Sequence, residues 1–296
     1  MCGIVGLFAK DRTIERDLGA HLSGMLASMA DRGPDSAGFA VYGEGRPGAI
    51  KLTLRPPDGG DPDKLLSRLG IPDSSILMRG SHVVLTVPLA AEAQARANLA
   101  ARMPDTAVVG AGERMELYKE VGAPADVARR FALASMAGSH GIGHTRMATE
   151  SAVTTAGAHP FSTGPDQCLV HNGSLSNHNA VRRALCRQGF GFATENDTEV
   201  AAVYLSARLR AGLSLGDALR GCLRDLDGFY TFVVGTARGF GVLRDPIACK
   251  PAVMAETDRF VAFGTEYRAL AQLPGIASAR VWEPEPAKVY FWERER

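Results

Sequence analysis

The chain begins MCGIVGLF (residues 1–8), a stretch in which a cysteine directly precedes a run of apolar residues. Ile4, Val5, Leu7 and Phe8 predict the first strand of a hydrophobic core. They do not explain Cys2. Three interpretations are open for it: a small core residue, an incidental neighbour of the start codon, or a nucleophile whose own α-amino group acts as the base.

The third interpretation depends on removal of Met1, which leaves Cys2 with both a thiol and a free α-amino group. An α-amine has an ordinary pKa of about 7.7–8.0 and a thiol one of about 8.5. The amine can therefore accept the thiol proton, directly or through one water, so that one residue supplies nucleophile and base. A cysteine at the second position is weak evidence when taken alone.

Composition excludes several classes of function. The 296 residues are 46% hydrophobic and 22% charged, as in ordinary globular proteins. A net charge of +1 argues against binding to nucleic acid or to an anionic membrane, and no apolar run approaches the ~18 residues of a membrane span. The five cysteines form no CxxC pair, and the seven histidines show no ligand spacing. We therefore expect a cytoplasmic protein with no disulfide framework and no metal site.

Periodicity predicts a mixed α and β chain. Apolar residues at helical spacing predict a helix near 18–29, and alternating runs predict strands near both ends. The segment at about 44–135 carries no recognisable catalytic motif and is interpreted as an elaboration of the fold. Within it we expect a strand at 82–90 and helices at 91–103 and 125–137. RDP (244–246), with Lys250 and Pro251 behind it, is interpreted as the connection of a β-hairpin.

HNGSLSN (171–177) follows a predicted strand at its exit into a turn. Gly173 tolerates backbone angles that aim its N–H outward, and Asn172 carries a side-chain amide donor. Two converging donors of this kind form an oxyanion hole for acyl transfer. A turn with a helix cap explains an isolated Asn-Gly pair equally simply.

Two further motifs carry charged residues. GHTRMAT (143–149) places Arg146 and Thr149 in a loop behind a strand, where a guanidinium can hold a substrate carboxylate. NDTE (196–199) places Asp197 at the start of a predicted helix, where an N-cap or first-turn role is a sufficient explanation and binding of a substrate ammonium is the functional alternative. His144 and His171 are interpreted as structural histidines, and His159 as a loop contact.

Six motifs occur in a fixed order: MCGIVG, RGPDSAG, GHTRMAT, HNGSLSN, NDTE and RDPIACKP. This combination resembles the class II glutamine amidotransferases, a branch of the N-terminal-nucleophile hydrolases. The resemblance covers residues 2–43 and 140–270 well, and the stretch between them poorly. It implies an α+β fold, a four-layer αββα sandwich of the N-terminal-nucleophile hydrolase type, and one domain over residues 2–296.

The resemblance also implies a role for each motif residue. Cys2 would attack the side-chain amide of L-glutamine, and Asn172 with Gly173 would form the oxyanion hole. Arg146 would hold the substrate α-carboxylate and Asp197 would accept its α-ammonium group, and Thr149, in the same loop as Arg146, is also expected to bind the substrate. Met147 stands where many members of the family have an aromatic residue.

An ammonia-accepting partner is also implied. Too few residues follow RDPIACKP (244–251) for a second catalytic domain, and neither a P-loop nor a GxGxxG fingerprint is present. We therefore expect the acceptor site on another polypeptide. MCGIVGLF, DRGPDSAG and FGTEYRAL resemble the stand-alone amidotransferase subunit of glutamate synthase-like complexes such as N-methylglutamate synthase. No cofactor is expected in this chain, whereas a flavin or iron–sulfur cluster is expected in the partner.

Two alternatives remain open. The chain could be an independent amidohydrolase that cleaves γ-glutamyl compounds without an acceptor, or a non-catalytic regulatory subunit that binds glutamine. The joint presence of Cys2, Arg146, Asn172, Gly173 and Asp197 argues against the second, because a binder needs neither a nucleophile nor oxyanion donors.

Overall fold

The computed structural model describes residues 2–57, 60–148 and 152–294. Within these residues, two antiparallel sheets lie face to face, and helices cover their outer faces. Strands are numbered in chain order. The first sheet has seven of them, which in spatial order are β15 (Arg280–Trp282), β13 (Val253–Glu256), β14 (Phe260–Gly264), β1 (Gly3–Ala9), β8 (His140–Arg146), β2 (Ser36–Tyr42) and β7 (Met115–Val121).

The second sheet has five strands in the described residues. In spatial order they are β16 (Val289–Glu293), β12 (Gly239–Arg244), β11 (Gly228–Gly235), β10 (Gln167–Leu175) and β9 (Phe161–Gly164). Helices α1 (Arg12–Arg16), α2 (Leu18–Ala27) and α5 (Pro124–Arg130) lie on the side of the first sheet. Helices α6 (His178–Arg187), α7 (Asp197–Arg210) and α8 (Leu215–Asp225) lie on the side of the second. The layer order is therefore αββα, as predicted.

Strand β1 shows why the opening stretch is apolar throughout. Side chains alternate along a strand, so Val5 and Leu7 pack towards α2 while Ile4 and Phe8 pack between the two sheets. A central strand that is buried on both faces carries apolar side chains on both faces. This placement carries the residue before the strand, Cys2, to the edge of the sandwich interior.

A third sheet occupies the segment without motifs. Its strands, in spatial order, are β4 (Ser75–Arg79), β5 (His82–Pro88), β3 (Ala49–Arg55) and β6 (Ala107–Gly112). Helices α3 (Pro62–Leu69) and α4 (Glu92–Arg102) share one apolar core on one face of this sheet. The chain order β3–α3–β4–β5–α4–β6, with antiparallel neighbours, is the split βαβ topology of ferredoxin-like units. We call residues 49–112 the inserted unit.

Two local predictions are wrong. The helix expected at 125–137 ends at Arg130, because Ala132 adopts a left-handed conformation (φ 55°) and a short 3-10 turn follows. The RDP segment is not a hairpin connection, since β12 and β13 belong to different sheets. The buried Asp245 carboxylate holds this crossing by accepting hydrogen bonds from the backbone N–H groups of Tyr230 (2.9 Å) and Ile247 (2.8 Å).

Candidate active site

Cys2 lies just before β1 and is held through its backbone. Its carbonyl oxygen accepts hydrogen bonds from Nε of Arg32 (3.1 Å) and from Nδ2 of Asn172 (3.2 Å). The second residue of β1 is also fixed, because Ile4 N donates to Oγ1 of Thr265 at 2.8 Å. Cys2 is half-buried, and its Sγ lies 4.0 Å from the carbonyl oxygen of Met147. The main chain from which the thiol projects is therefore fixed.

Arg32 is a site residue to which the sequence analysis gave no role. Its guanidinium forms an ion pair with Glu266, and the hydrogen bond from Arg32 is the main cause of a lowered pKa of the Glu266 carboxyl. Arg32 belongs to DRGPDSAG and Glu266 to FGTEYRAL, and neither stretch predicts the ion pair between them. A pair separated by 234 residues leaves no local pattern.

Asn172 and Gly173 lie inside β10, whereas the sequence analysis placed them at a strand exit. The ladder with β11 continues past them to the pair Leu175–Gly228. Gly173 has φ 141°, and a Cβ there would lie 1.9 Å from the carbonyl oxygen of Phe229. Glycine is therefore required by the close approach of β11. An amide group has two N–H bonds, so Asn172 can hold the Cys2 carbonyl and still donate a second.

Arg146 ends β8 and is 6% exposed. The backbone around it is shaped by Asp35, whose N–H donates to the Arg146 carbonyl (3.1 Å) and whose Oδ2 accepts from Ala148 N (2.8 Å). Its Nη1 lies 3.4 Å from the carbonyl oxygen of Ala152. Thr149, the other residue predicted in this loop, lies outside the described residues.

Asp197 is the first residue of α7, and Asn196 is the N-cap, with its Oδ1 accepting from Thr198 N at 2.8 Å. Asp197 is therefore not the N-cap, although its carboxylate lies in the first turn of α7, where the helix dipole favours a negative charge. Burial favours its neutral form, but the His171 imidazole (Nδ1 3.7 Å from Oδ1) and the Leu175 N–H (2.9 Å) outweigh burial and lower the pKa of Asp197 to about 2. The side chain is 23% exposed and carries a negative charge at neutral pH.

These residues meet in one cleft of about 610 Å³. Its lining includes five of the six residues predicted for the site: Cys2, Arg146, Asn172, Gly173 and Asp197. Side chains alternate along β10, so neighbouring residues of this strand face different layers. Asn172 has the parity of Val170, which faces the first sheet, and His171 has the parity of Leu169, which faces the helices.

Histidines form the wall behind the cleft. Oγ1 of Thr198 contacts Nε2 of His159 (2.8 Å) and Nδ1 of His171 (3.0 Å), and the His144 ring stacks on His159 at 4.1 Å. Burial lowers the pKa of His144 to about 3 and that of His159 well below its ordinary value, so both are uncharged at neutral pH. Among the described residues, no group of three His, Cys, Asp or Glu could hold a metal ion.

Comparison with known proteins identifies the class. Residues 144–272 match the family model described as a glutamine amidotransferase domain. The glutamine amidotransferase-like protein GlxB of Rhizobium meliloti (strain 1021) is 61% identical over 300 residues, which cover 100% of this chain and 99% of that one. A putative glutamine amidotransferase of Methanothermobacter thermautotrophicus is 33% identical over 311 residues, covering 98% and 99%.

Solved structures show the same fold. The glutamine phosphoribosylpyrophosphate amidotransferase of B. subtilis has a TM-score of 0.63 at 19% identity, and a structure described as the allosteric regulatory enzyme of purine biosynthesis has 0.64 at 20%. Each comparison covers 99% of this chain, and the chain spans 47% of each solved chain.

The fold is thus the αββα sandwich of the N-terminal-nucleophile type, as predicted. Within that class, the chain belongs to the class II glutamine amidotransferases, and this prediction is also confirmed. None of the helices in the described residues is long and apolar enough to cross a membrane.

Proposed function

We propose that this chain hydrolyses L-glutamine through a γ-glutamyl thioester on Cys2 and passes the ammonia to a partner synthase. The observation that carries the proposal is the cleft, in which a held thiol, an amide donor, a guanidinium and a carboxylate face the same space. Each of these groups has an ordinary structural explanation alone, but their convergence matches one zwitterionic amide substrate.

In this proposal, Arg146 binds the α-carboxylate of glutamine and Asp197 binds its α-ammonium group. The lowered pKa of Asp197 keeps its carboxylate charged at neutral pH, as an ammonium ligand must be. Gripping the substrate at both charged groups orients its side-chain amide over the Cys2 thiol. Holding the two reacting groups in this geometry makes the attack effectively unimolecular, which contributes a large part of the rate enhancement.

The chemistry then requires two steps. After removal of Met1, the α-amine of Cys2 takes the thiol proton, and sulfur attacks the amide carbon while Asn172 and Gly173 donate to the developing oxyanion. The C–N bond breaks, the nitrogen receives the proton, and ammonia leaves a γ-glutamyl thioester. Water, deprotonated by the same amine, then attacks the thioester, and glutamate and the free thiol are released.

The acceptor is proposed to be a glutamate synthase-like enzyme such as N-methylglutamate synthase, on the resemblance carried by MCGIVGLF, DRGPDSAG and FGTEYRAL. Ammonia released into water at neutral pH becomes ammonium, which is not a nucleophile, so a docked acceptor preserves its reactivity. Any flavin or iron–sulfur cluster of the complex would belong to that partner.

Intact mass spectrometry before and after 6-diazo-5-oxo-norleucine, an alkylating glutamine analogue, tests the nucleophile. We expect loss of Met1 and one adduct that maps to Cys2, with no adduct in Cys2→Ala. Retained Met1, or an unmodified Cys2 even with candidate partners present, would leave a glutamine-binding regulatory subunit as the better description.

The acceptor needs a separate experiment. Affinity purification of the full chain from its native cells should retain a synthase subunit that raises glutaminase activity. Full glutaminase activity of the isolated chain, unchanged by any co-purifying protein, would instead favour an independent γ-glutamyl amidohydrolase.

A further inference from the structure

Residues 152–160 form one wall of the cleft without belonging to a helix or strand. Ala152, Thr154, Gly157 and His159 of this segment line the cleft. We call residues 152–160 the wall segment. Its backbone carbonyls lack the ladder partners that regular structure supplies, so other groups must satisfy them where they are buried.

Lys119, on β7, donates hydrogen bonds to two of these carbonyls. Its Nζ donates to the carbonyl oxygens of Ala156 (3.1 Å) and Ala158 (2.8 Å) and lies 4.5 Å from the ring centroid of Phe161. Lys119 is only 5% exposed, and no carboxylate oxygen of the described residues lies within 4.0 Å of its nitrogen. A buried amine without an anionic partner is costly, so it is unusual as a purely structural choice.

The two hydrogen bonds do not depend on the charge of the amine. Burial lowers the pKa of Lys119 to about 7, against the opposing effect of Glu199 and with a smaller contribution from Arg55. An ammonium has three N–H bonds and a neutral amine has two. Two carbonyl oxygens can therefore be satisfied in either protonation state.

The next residue of the same strand holds the wall segment from another side. The Glu120 carboxylate accepts hydrogen bonds from the hydroxyls of Thr155 and, at 2.9 Å, of Ser81 in the loop between β4 and β5 of the inserted unit. Consecutive strand residues point to opposite faces, and both can reach the segment because β7 is an edge strand of its sheet.

The wall segment in turn contacts Arg146. The carbonyl of Ala152 lies 3.4 Å from Nη1, and a Cβ added to Gly157 would lie 3.5 Å from the same nitrogen. A displacement of the segment would therefore move the guanidinium or open the cleft beside it. Cys2 has separate anchors, namely Arg32 and Asn172.

We propose that Lys119 is a positioning residue for the substrate: by holding the carbonyls of Ala156 and Ala158, it fixes the wall segment against Arg146 and keeps glutamine in register with the Cys2 thiol. This inference rests on the proposed function. Two properties of the site are thereby distinguished: Lys119 determines how well the substrate is bound and oriented, and it does not alter the reactivity of the Cys2 thiol.

The test compares two alkylating reagents on the full-length Lys119→Met variant. 6-Diazo-5-oxo-norleucine needs the amino-acid grip, whereas iodoacetamide reports on the thiol alone. We expect the second-order rate of the first reagent at Cys2 to fall at least tenfold and that of iodoacetamide to stay within twofold, both read from the Cys2 peptide by mass spectrometry. The exposed Cys186 and Cys249 serve as internal references for iodoacetamide.

Lys51→Met is the matched control, because Lys51 also contacts the β7 strand, through Glu116 (2.8 Å), but does not touch the wall segment. It should leave both rates within twofold. Lys119→Arg, which keeps the donors, should recover part of the lost rate.

Three results would overturn the inference. These are an unchanged rate with the glutamine analogue in Lys119→Met, an equal fall with both reagents, or the same effect in Lys51→Met. If Lys119→Met does not fold, Thr155→Val, which removes the hydroxyl held by Glu120, must lower the analogue rate at least threefold. A wild-type protein whose Cys2 does not react with the analogue, even with candidate partners present, would refute the proposed function itself.

Discussion

The cleft and the inserted unit are built from opposite kinds of buried residue. Arg146, His159, His171, Asn172 and Thr198 are all less than a tenth exposed, and all line the cleft. The inserted unit instead buries leucine, isoleucine and valine between one sheet face and two helices. Its buried Asn98 is satisfied locally, by donating to the Leu69 carbonyl at 2.6 Å.

Under the proposed function, this difference separates residues that act on the substrate from residues that stabilise the fold. A buried polar atom without a partner lowers stability, and three imidazole nitrogens around the cleft, Nδ1 of His144 and His159 and Nε2 of His171, have no hydrogen-bond partner among the described residues. The core between the sheet and the helices of the inserted unit is apolar by contrast. Among the described residues of that unit, the buried polar atoms without a partner belong to residues outside this core, namely Ser74, Arg79 and His82. Substitutions in the two regions should therefore change different measured quantities.

Replacement of the nucleophile should give the largest effect. Cys2→Ala removes the sulfur that forms the thioester, and we expect glutaminase kcat/KM to fall by about 10⁴-fold or more. Steady-state release of glutamate measures it. Cys249→Ala, at an exposed cysteine, is the control and should stay within twofold. Substantial activity in Cys2→Ala would show that the cleft acts through another group.

The oxyanion donor should come next. Asn172→Ala removes an amide donor, and the loss of one such donor lowers kcat by about 10²–10³-fold. Because Asn172 also holds the Cys2 carbonyl, the rate of iodoacetamide alkylation at Cys2 should be measured beside kcat. A fall in kcat without a fall in alkylation assigns the loss to the oxyanion; equal falls would assign it to a displaced thiol.

The cleft residues are predicted from the order of six motifs and the resemblance that this order carries, because each motif alone is weak. The Asn-Gly pair of β10 is one example: the sequence shows a glycine there, but the close approach of β11 that requires it appears only in the structure. The αββα layers are predicted from the resemblance to the class II glutamine amidotransferases, whereas the apolar run of β1 by itself predicts only a core strand. The roles of these residues stay predictions until the variants are measured.

Other features could not be predicted, because they depend on contacts between distant residues. The Arg32–Glu266 ion pair joins two turns 234 residues apart. The sheet change at Asp245 resembles a hairpin locally, since both kinds of connection use the same turn residues. The topology of the inserted unit depends on strand pairing, and its apolar patterns allow several pairings.

A core substitution in the inserted unit should reverse the pattern of the cleft variants. Leu85 of β5 is fully buried, and Leu85→Ala should lower the free energy of unfolding by about 2–5 kcal/mol. Urea denaturation measures this, and KM for glutamine should stay within twofold at 25 °C. Leu77→Ala, at a leucine 47% exposed on β4, should change the stability by less than about 0.5 kcal/mol. A large KM change in Leu85→Ala would mean that the two regions are not separable.

The smallest effect is expected from the charge of Asp197, which belongs to both categories. Its pKa is about 2, below the ordinary 3.8, so the folded state favours the ionised form. The resulting stabilisation is fully present above about pH 5, where the carboxyl is ionised in the unfolded state as well, and is lost as the pH falls from about 5 towards 2; by linkage it amounts to about 2 kcal/mol. The free energy of unfolding of the wild type should therefore fall more steeply over this range than that of Asp197→Asn, whereas above pH 5 the two should run parallel. In the same variant, KM for glutamine should rise at least tenfold at pH 7, because a neutral amide cannot form an ion pair with the substrate ammonium. A steeper fall without a change in KM would place Asp197 with the structural residues, and would leave the ammonium of glutamine to another group of the cleft.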